Sequence, residues 1–344
     1  MIVKVRPGDI ESDRDPAIEL LRRHVNPAYD RKRFDWLYHA GPAGPGRLWM
    51  AEDGSTGNVV GMAGAFPRRM LTESGSVAGW LLGDFCVAET HRALGPALQL
   101  QRACLDDLAA DGARLYYDFP SRSMEAIYRR LRIVPSLQFR RLVRPLRVSH
   151  RLRQRGGVWL GAAGKLVDVA LGWAARPPRP AGGLVVAPHA GRCGEEFSAL
   201  ARRVGVAHGI CGERSAEYLN WRYLDSPLER HELLTARSNG TLMGYVAVTR
   251  EERVATLVDV FSVADEAVSS TLLRHAVARL WTQGVADVRV AVVASDPWLA
   301  RLTRIGFRHR GEAPVVVHAL PGAGLGSTML QHSTWFLTHG DRDG

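Results

Sequence analysis

The sequence has few of the features that assign a protein to a class at once. It contains four cysteines, Cys86, Cys104, Cys193 and Cys211, and no CxxC pair, which fits reduced thiols and not a disulfide framework. It contains no run of about 20 uninterrupted apolar residues, and its first residues are too acidic and broken for a secretory signal. We therefore expect a cytoplasmic protein with no transmembrane segment.

Lysine is also scarce, because Lys4, Lys32 and Lys165 are the only lysines. Arginine therefore supplies nearly all of the net charge of +10. The basic residues are scattered along the chain, without the interleaved aromatic residues of RNA-binding or zinc-finger modules. We do not expect nucleic acid to be the primary partner, although a basic surface attracts phosphate in general.

Sequence motifs of several enzyme classes are missing. There is no GxSxG elbow, P-loop or HExxH motif, which argues against common hydrolases and nucleotide-binding enzymes. Four residues have zinc-ligand chemistry: His189, Cys193, His208 and Cys211. The segment between the two pairs is typical of an amphipathic helix, and the spacing matches no known finger. We predict no metal site.

An internal repeat is the first positive signal. Trp36 and Tyr38 in the first half match Trp221 and Tyr223 in the second. Each aromatic cluster is followed by an apolar segment with a glycine, and each copy ends in a helix-like segment, SRSMEAIYRRLRI or SDPWLARLTRIGF. The pattern predicts two copies of one unit.

The chain is therefore divided into a first domain, 1–146, a linker, 147–183, and a second domain, 184–344. In each domain, strand, helix and strand follow one another, which implies a parallel crossover and an α/β fold. The linker contains an apolar stretch, 158–175, interrupted by Lys165 and Asp168. We interpret it as a helix packed between the domains, with weak peripheral membrane contact as the alternative, because Trp159 and Trp173 flank it.

A junction in the first copy indicates a binding site. The apolar run 80–88 is followed by Arg92, Gly95 and Pro96, and then by a helix with an apolar stripe. The start of a helix presents unpaired N–H groups and the positive end of its dipole, so this turn is a candidate phosphate site.

Two segments resemble the signatures of the GNAT superfamily of acyl-CoA-dependent N-acyltransferases. Val87 with Arg92-Ala93-Leu94-Gly95-Pro96-Ala97 resembles V-x-x-x-x-[QR]-x-x-G-x-[GA], and Ser121 to Ile133 resembles N-x-x-[AS]-x-x-x-Y-x-x-x-G-F. The resemblance covers most of 2–143. The departures from the pattern include Pro96, which lacks an N–H, Ser121, which replaces the asparagine, and Arg132-Ile133, which replaces Gly-Phe.

This resemblance implies an α/β fold of two tandem GNAT-like domains, each a mixed central sheet flanked by helices. It also implies acetyl-CoA as cosubstrate. Tyr128 would act as the general acid for the leaving thiolate, and Asp84 is our candidate for the base, with Asp118, Glu89 and His91 as further candidates. The residues expected to bind the cosubstrate are Cys86, Val87, Arg92, Ala93, Leu94, Gly95, Ala97 and Ser121.

The second copy resembles the fold without the site. We align Val263 of the second copy with Val87 of the first. Val268 and Thr271 then stand at the positions of Arg92 and Gly95. Leu302 stands in the place of Tyr128. We therefore expect the second domain to have lost its cosubstrate site.

The predicted function is acetyl transfer from acetyl-CoA to an amine, for which an amino sugar or polysaccharide precursor is the first candidate. The WRYLDSP and WFLTHGDRDG segments resemble tandem GNAT proteins of polysaccharide or cell-envelope biosynthesis, with FemAB-like and mycothiol synthase-like enzymes more distant. The alternatives are a FemAB-like aminoacyl transferase that uses aminoacyl-tRNA, and a non-catalytic binding or scaffold protein. The acceptor is expected in a cleft between the halves, with these wall residues: Trp36, Tyr38, Trp221, Arg222 and Tyr223.

Overall fold

The first half alternates strands and helices in the predicted order. A computed structural model describes residues 3–73, 75–92, 94–149, 152, 164–173, 175–176, 183–320 and 334–343. The elements of the first half are β1 Val3–Pro7, α1 Arg14–His24, α2 Arg31–Tyr38, β2 Arg47–Asp53, β3 Val59–Thr72, β4 Gly75–Val87, α3 Leu94–Ala110, β5 Leu115–Asp118, α4 Arg122–Arg130 and β6 Leu137–Pro145.

A helix that includes 164–173, α5, lies between the halves in the sequence. The elements that follow are β7 Leu184–Pro188, α6 Glu195–Val204, β8 Ile210–Gly212, α7 Ala216–Leu219, β9 His231–Ser238, β10 Thr241–Glu251, β11 Val254–Ser262, α8 Glu266–Thr282, β12 Asp287–Val293, α9 Asp296–Arg304, β13 Arg308–Ala319 and β14 Trp335–Thr338. The second half thus repeats the order of the first, with β8 and β14 added.

The repeat is visible in matching lengths and in one symmetric contact. Helices α3 and α8 each have 17 residues, and α4 and α9 each have 9. The rings of Trp36 and Trp221 stack at 4.8 Å between centroids. Each indole Nε1 donates a hydrogen bond to the carbonyl oxygen of the other tryptophan, at 2.9 and 3.0 Å. The prediction of an α/β fold with two similar units is confirmed.

The two units exchange one strand each, β6 of the first half and β13 of the second. The sheet runs in the order β1-β2-β3-β4-β5-β13-β6-β12-β11-β10-β9-β7. Strand β13 of the second half pairs with β5 of the first, and β6 of the first half pairs with β12 of the second. One hydrogen-bonded sheet therefore spans both units. The boundaries predicted at 146 and 184 stay a prediction.

Apolar periodicity accounts for the way α3 packs. Its predicted stripe contains Leu100, Cys104 and Leu108, and all three are buried against the sheet, while Ala97 is half-buried. A helix with apolar residues at such spacing buries one face, and burial of a leucine contributes about 1.5–3 kcal/mol. The stripe fixes α3 over β2 and β3 and so determines where its first turn lies.

The linker prediction is testable only in part, because Trp159 and much of 147–183 lie outside the described residues. Gly172 of α5 lies against the ring of Trp281 of α8, where a Cβ would clash. Asp168 accepts hydrogen bonds from the backbone N–H groups of Val148 and Ser149. The described helix therefore packs on the second half. None of the helices in the described ranges combines the length and apolar character needed to cross a bilayer.

Candidate active site

A cavity opens where β4 and β5 separate. The two strands pair in parallel only from Gly79 to Leu81 of β4, whereas β4 continues to Val87 against β3. The space beside the unpaired part of β4 is a cavity of about 720 Å³. It is lined by residues from β4, from the start of α3, from the β5–α4 turn and from α4.

The structure brings five of the predicted cosubstrate-binding residues together around this cavity: Cys86, Val87, Arg92, Ala97 and Ser121. Gly95 lies in the first turn of α3, is exposed, and has no neighbour within 4 Å of the place of a Cβ. Ala93 and the side chain of Leu94 lie outside the described residues.

Two polar side chains of the α3 wall are available to a ligand. Arg92 is about half exposed, with a long hydrogen bond of 3.4 Å to the Val87 carbonyl and an ion pair to Glu89 at 3.4 Å. Gln101 is buried and lines the cavity, and its Nε2 has no hydrogen-bond partner within the described part of the chain. A buried amide donor without a partner is costly, so a ligand carbonyl beside Gln101 would stabilise this wall.

Asp118 is the carboxyl group that the first half places in the cavity wall. It ends β5, and the hydroxyl of Tyr128 donates a hydrogen bond of 2.7 Å to its Oδ2. Burial raises the pKa of Asp118 to about 7, although the Tyr128 hydrogen bond favours the ionised form. The group therefore exchanges protons near neutral pH.

Tyr128 itself is fully buried and is not among the residues that line the cavity. Burial raises its pKa well above the ordinary value, and the neighbouring Asp118 raises it further. Its hydroxyl is linked to the cavity by its hydrogen bond to Asp118. The geometry therefore favours a positioning role over the direct proton transfer that the sequence predicts.

Asp84, the predicted base, lies behind the cavity wall. Its Oδ2 accepts hydrogen bonds from Tyr29 at 2.5 Å and from Tyr38 at 3.2 Å. Its backbone has φ +46°, an uncommon conformation for a residue other than glycine. Burial, and then the nearby charge of Asp343, raises the pKa of Asp84 to about 6.

Sequence reasoning missed the contribution of the last residues of the chain. Arg342 and Asp343 line the cavity of the first half, although they follow the second unit. A Cβ at Gly83 would overlap the Asp343 carboxylate, so glycine at this position lets that carboxylate lie against β4. The charge of Asp343 raises the pKa of both Asp84 and Asp118. No local sequence pattern marks this contact.

The corresponding space in the second half is filled by β14. Strand β11 pairs with β12 only up to Leu257, and β12 then pairs with β14 at Val292 and Val293. Because β6 occupies the other edge of β12 as far as Val292, β14 lies on the edge that faces β11. The chain's own strand thus lies where the first half has its cavity.

The residue that corresponds to Asp84 is neutralised in the second half. Val87 pairs with Gly61 and Ser262 with Gly244, and Asp84 and Asp259 each precede these residues by three positions. Asp259 is fully buried and forms an ion pair of 2.8 Å with Arg214. The same position therefore holds a carboxyl group with a raised pKa in one half and a salt-bridged carboxylate in the other.

The second half also lacks the loop that precedes α3. Six residues, 88–93, separate β4 from α3, whereas three, 263–265, separate β11 from α8. The residue-by-residue count from Val263 was therefore wrong, since Val268 and Thr271 lie inside α8. The carboxylate of Asp265 caps this helix by accepting a hydrogen bond from the Ala267 N–H. A carboxylate already occupies the helix start that a phosphate would need.

The five predicted wall residues do not line the cavity. All five are buried: Trp36, Tyr38, Trp221, Arg222 and Tyr223. The two tryptophans border a separate, more open cleft of about 840 Å³. Arg222 donates a hydrogen bond to the carbonyl of Gly340. The stacked rings of Trp36 and Trp221 hold the units together, and the expectation of an acceptor cleft between the halves stays a prediction.

The four residues with zinc-ligand chemistry are engaged separately. His208 Nε2 lies 2.6 Å from the Ser262 carbonyl, and the Trp298 indole donates to its Nδ1. His189 packs against the ring of Phe197. Cys193 and Cys211 are free thiols. Within the described ranges, no three His, Cys, Asp or Glu side chains converge as a metal site.

Comparison with known families finds one match, which lies in the first half. Residues 8–131 match the family model described as "Acetyltransferase (GNAT) domain". The match includes Asp84, Arg92, Asp118 and Tyr128 and ends before the second unit. The GNAT resemblance is confirmed for this segment. A search of curated proteins finds no match.

Solved structures share the fold of nearly the whole chain. A GCN5-related N-acetyltransferase from Anabaena variabilis superposes with a TM-score of 0.68 at 11% identity, over 92% of this chain and 73% of that one. N-myristoyltransferase from Saccharomyces cerevisiae with bound myristoyl-CoA gives 0.59 at 12% identity, over 92% and 82%. Eis1 from Mycobacterium abscessus gives 0.59 at 17% identity, over 92% and 74%. At these identities the similarity establishes the fold alone.

Proposed function

We propose that this protein is an acyl-CoA-dependent N-acyltransferase whose site lies in the first half, with acetyl-CoA as the acyl donor. The observation that carries the proposal is the open edge of β4 beside a cavity, with Arg92 and the start of α3 at one wall and Asp118 at another. Acyl transfer needs a bound thioester, donors for the carbonyl oxygen and a group that takes the amine proton.

The residues present fit an acyl-CoA. Backbone groups of β4 beyond Leu81 have no partner from β5 and can pair with the amides of the pantetheine arm. The Nε2 of Gln101 is a further donor. Arg92 and the N–H groups at the start of α3 suit the pyrophosphate, although Pro96 contributes no N–H. When bound, acyl-CoA supplies the activated acyl group.

Asp118 is the residue we assign to the amine proton, which it takes as the C–N bond forms. The C–S bond then breaks, and CoA leaves as a thiolate that takes up a proton from solvent. A carboxylate whose pKa lies near 7 is a stronger base than an ordinary one and still ionises at neutral pH. Tyr128 holds Asp118 in place and favours its ionised form. Asp343 and, behind it, Asp84 add negative charge that attracts a cationic amine. N–H groups of β4 near Cys86 and Val87 would stabilise charge on the thioester oxygen.

The second half acts in this proposal as a structural partner that binds no acyl-CoA. The position of β14 and the short β11–α8 turn support that role. An amino sugar or polysaccharide precursor remains the first candidate acceptor. A non-catalytic binding role is the alternative that the experiment addresses, and use of aminoacyl-tRNA is a second alternative.

The function is tested by measuring thiol release from acetyl-CoA and longer acyl-CoAs with a panel of amines. The panel includes amino sugars and their phosphates. We expect amine-dependent release, reduced at least tenfold in Ala97→Phe, because the larger ring would fill the cavity beside β4. Ala109→Phe, on an exposed position of the same helix, is the matched control. Acyl-CoA binding without transfer to any amine would favour the non-catalytic alternative and contradict the proposal.

A further inference from the structure

A second cavity adjoins the proposed site at the centre of the shared sheet. It has a volume of about 660 Å³ and lies across β6, β12 and β13, where the two units exchange strands. It shares a wall with the first cavity, formed by Phe119, Pro120, Ser121 and Arg342. A molecule in one cavity can therefore extend into the other.

The walls of this second cavity carry only positive charge. Arg141, Arg289, Arg310 and Arg342 line it, and none of the described lining residues is an aspartate or glutamate. Arg141 of β6 and Arg289 of β12 lie on the same face, because Arg141 pairs with Ala291, two residues from Arg289. Arg310 lies at the irregularity in the β13–β6 register.

Arg141, Arg289 and Arg310 form no ion pair in the part of the chain that the structure describes, whereas Arg342 lies close enough to Asp118 to lower the pKa of that carboxyl group. The neighbouring Arg140, in contrast, lies 3.8 Å from Asp296 and 3.7 Å from Glu312. The Nε of Arg342 is buried and lacks a hydrogen-bond partner among the same residues. Arg141 and Arg289 are diagonal neighbours across β6 and β12, and like charges within reach of each other repel. An anion between the guanidinium groups would remove this repulsion and accept paired hydrogen bonds.

The first cavity differs from the second because carboxyl groups also line it. Asp118 and Asp343 line it, and no arginine other than Arg92 and Arg342 does so among the described residues. The pair of cavities thus presents carboxyl groups at one end and guanidinium groups at the other. That arrangement complements a molecule with an amine at one end and an anion at the other.

We propose that the acceptor is an amine that carries an anionic group, phosphate or carboxylate, and that Arg141, Arg289 and Arg310 bind this group. The inference rests on the proposed acyltransferase function and names the chemistry of its acceptor. The phosphates of CoA are assigned to Arg92 and the start of α3, and Arg92 does not line the second cavity.

The anion site is tested by calorimetry, in which inorganic pyrophosphate is titrated into the whole chain saturated with CoA. We expect one binding event that weakens about tenfold or more in the double variant Arg289→Gln with Arg310→Gln, since hydrogen bonds to charged groups are lost. The control, Arg230→Gln with Arg250→Gln, removes two exposed arginines elsewhere and should bind as wild type does.

Equal pyrophosphate affinity in the two double variants would overturn the proposal. Binding that occurs only without CoA would also overturn it, because the arginines would then hold the phosphates of CoA. In transfer assays, pyrophosphate should raise KM for the amine and leave KM for acetyl-CoA unchanged, and the reverse pattern contradicts the proposal. Failure of the acyltransferase function would appear separately, as no CoA binding, while titration without CoA would still show whether the arginines bind an anion.

Discussion

Replacement of Asp118 by asparagine is expected to lower kcat for acyl transfer by about 100-fold or more, with acetyl-CoA affinity nearly unchanged. Asparagine keeps the shape of the side chain and its hydrogen bond with Tyr128 but cannot take a proton. Wild-type kcat/KM should rise with pH through about 7, where Asp118 ionises, and this rise should be absent in Asp118→Asn. The measurement is a pH–rate profile with an amine found active in the acceptor panel.

Tyr128→Phe separates the positioning role from direct acid catalysis. The variant removes a hydrogen bond that favours ionised Asp118, so the pKa of Asp118 should rise and the rising limb should move to higher pH. We expect a loss in kcat of about tenfold at pH 7 and a smaller loss at pH 9. Tyr116→Phe is the control, because Tyr116 is a buried tyrosine on the neighbouring strand β5. A loss of 100-fold or more at every pH would contradict the positioning role and restore Tyr128 as the acid.

Loss of folding cannot account for the effect expected of Asp118→Asn. Because the pKa of Asp118 is raised above its ordinary value of 3.8, the native state binds more protons than the unfolded state between about pH 4 and pH 7. Wild-type stability therefore falls as pH rises through this window. At pH 8 the asparagine variant avoids a cost of roughly 4 kcal/mol and should unfold at higher, not lower, urea concentration.

Arg214→Met is expected to lower the free energy of unfolding by about 3–5 kcal/mol. Arg214 is fully buried between two carboxylates, with its Nε 2.8 Å from Asp259 and its guanidinium bonded to Asp341 at 2.7 and 2.8 Å. Burial disfavours its charge, yet Asp259 and Asp341 keep the pKa of Arg214 well above its ordinary value. Methionine would leave both carboxylates buried without a positive charge, although Tyr245 and Thr338 still donate hydrogen bonds to them. Urea denaturation followed by circular dichroism measures the loss.

Two further variants test the cause of that loss. Arg202→Met removes an exposed arginine that pairs with Glu195 and should cost about 1 kcal/mol or less. Adding Asp259→Asn and Asp341→Asn to Arg214→Met should recover part of the stability, because the unpaired charges are gone. If the triple variant were less stable than Arg214→Met alone, buried charge would not be the reason for the loss.

Local features of the site could be predicted from the sequence because they depend on neighbouring residues. The apolar run before Arg92 forms β4, and the stripe through Leu100 and Leu108 forms α3. Ser121 caps α4 by accepting a hydrogen bond from the Met124 N–H, and Tyr128 lies on that helix. Apolar periodicity, helix capping and turn residues each depend on residues that lie only a few positions apart in the sequence.

The rest of the site depends on contacts between residues far apart in the chain. Asp343 contacts Gly83, which lies 260 positions earlier in the sequence. Strand β13 of the second unit pairs with strands of the first, and β6 of the first unit pairs with strands of the second. The burial that raises the pKa of Asp118 comes from this packing, and so does the displacement of Tyr128 behind the wall. The second cavity, lined by Arg141, Arg289 and Arg310, is likewise formed by β6, β12 and β13, which come from both units. The periodicity of a sequence does not predict which distant strands become neighbours in a sheet.

Calorimetric titration with acetyl-CoA tests the central claim, that one acyl-CoA site lies at the start of α3 and none at the start of α8. Gly95→Asp and Ala267→Asp place the same charge one position into each helix, on exposed residues where a carboxylate does not disturb folding. We expect one site per chain, weakened by 30-fold or more in Gly95→Asp, because the carboxylate repels the pyrophosphate, and unchanged in Ala267→Asp. Two sites, or equal affinity in wild type and Gly95→Asp, would contradict the account.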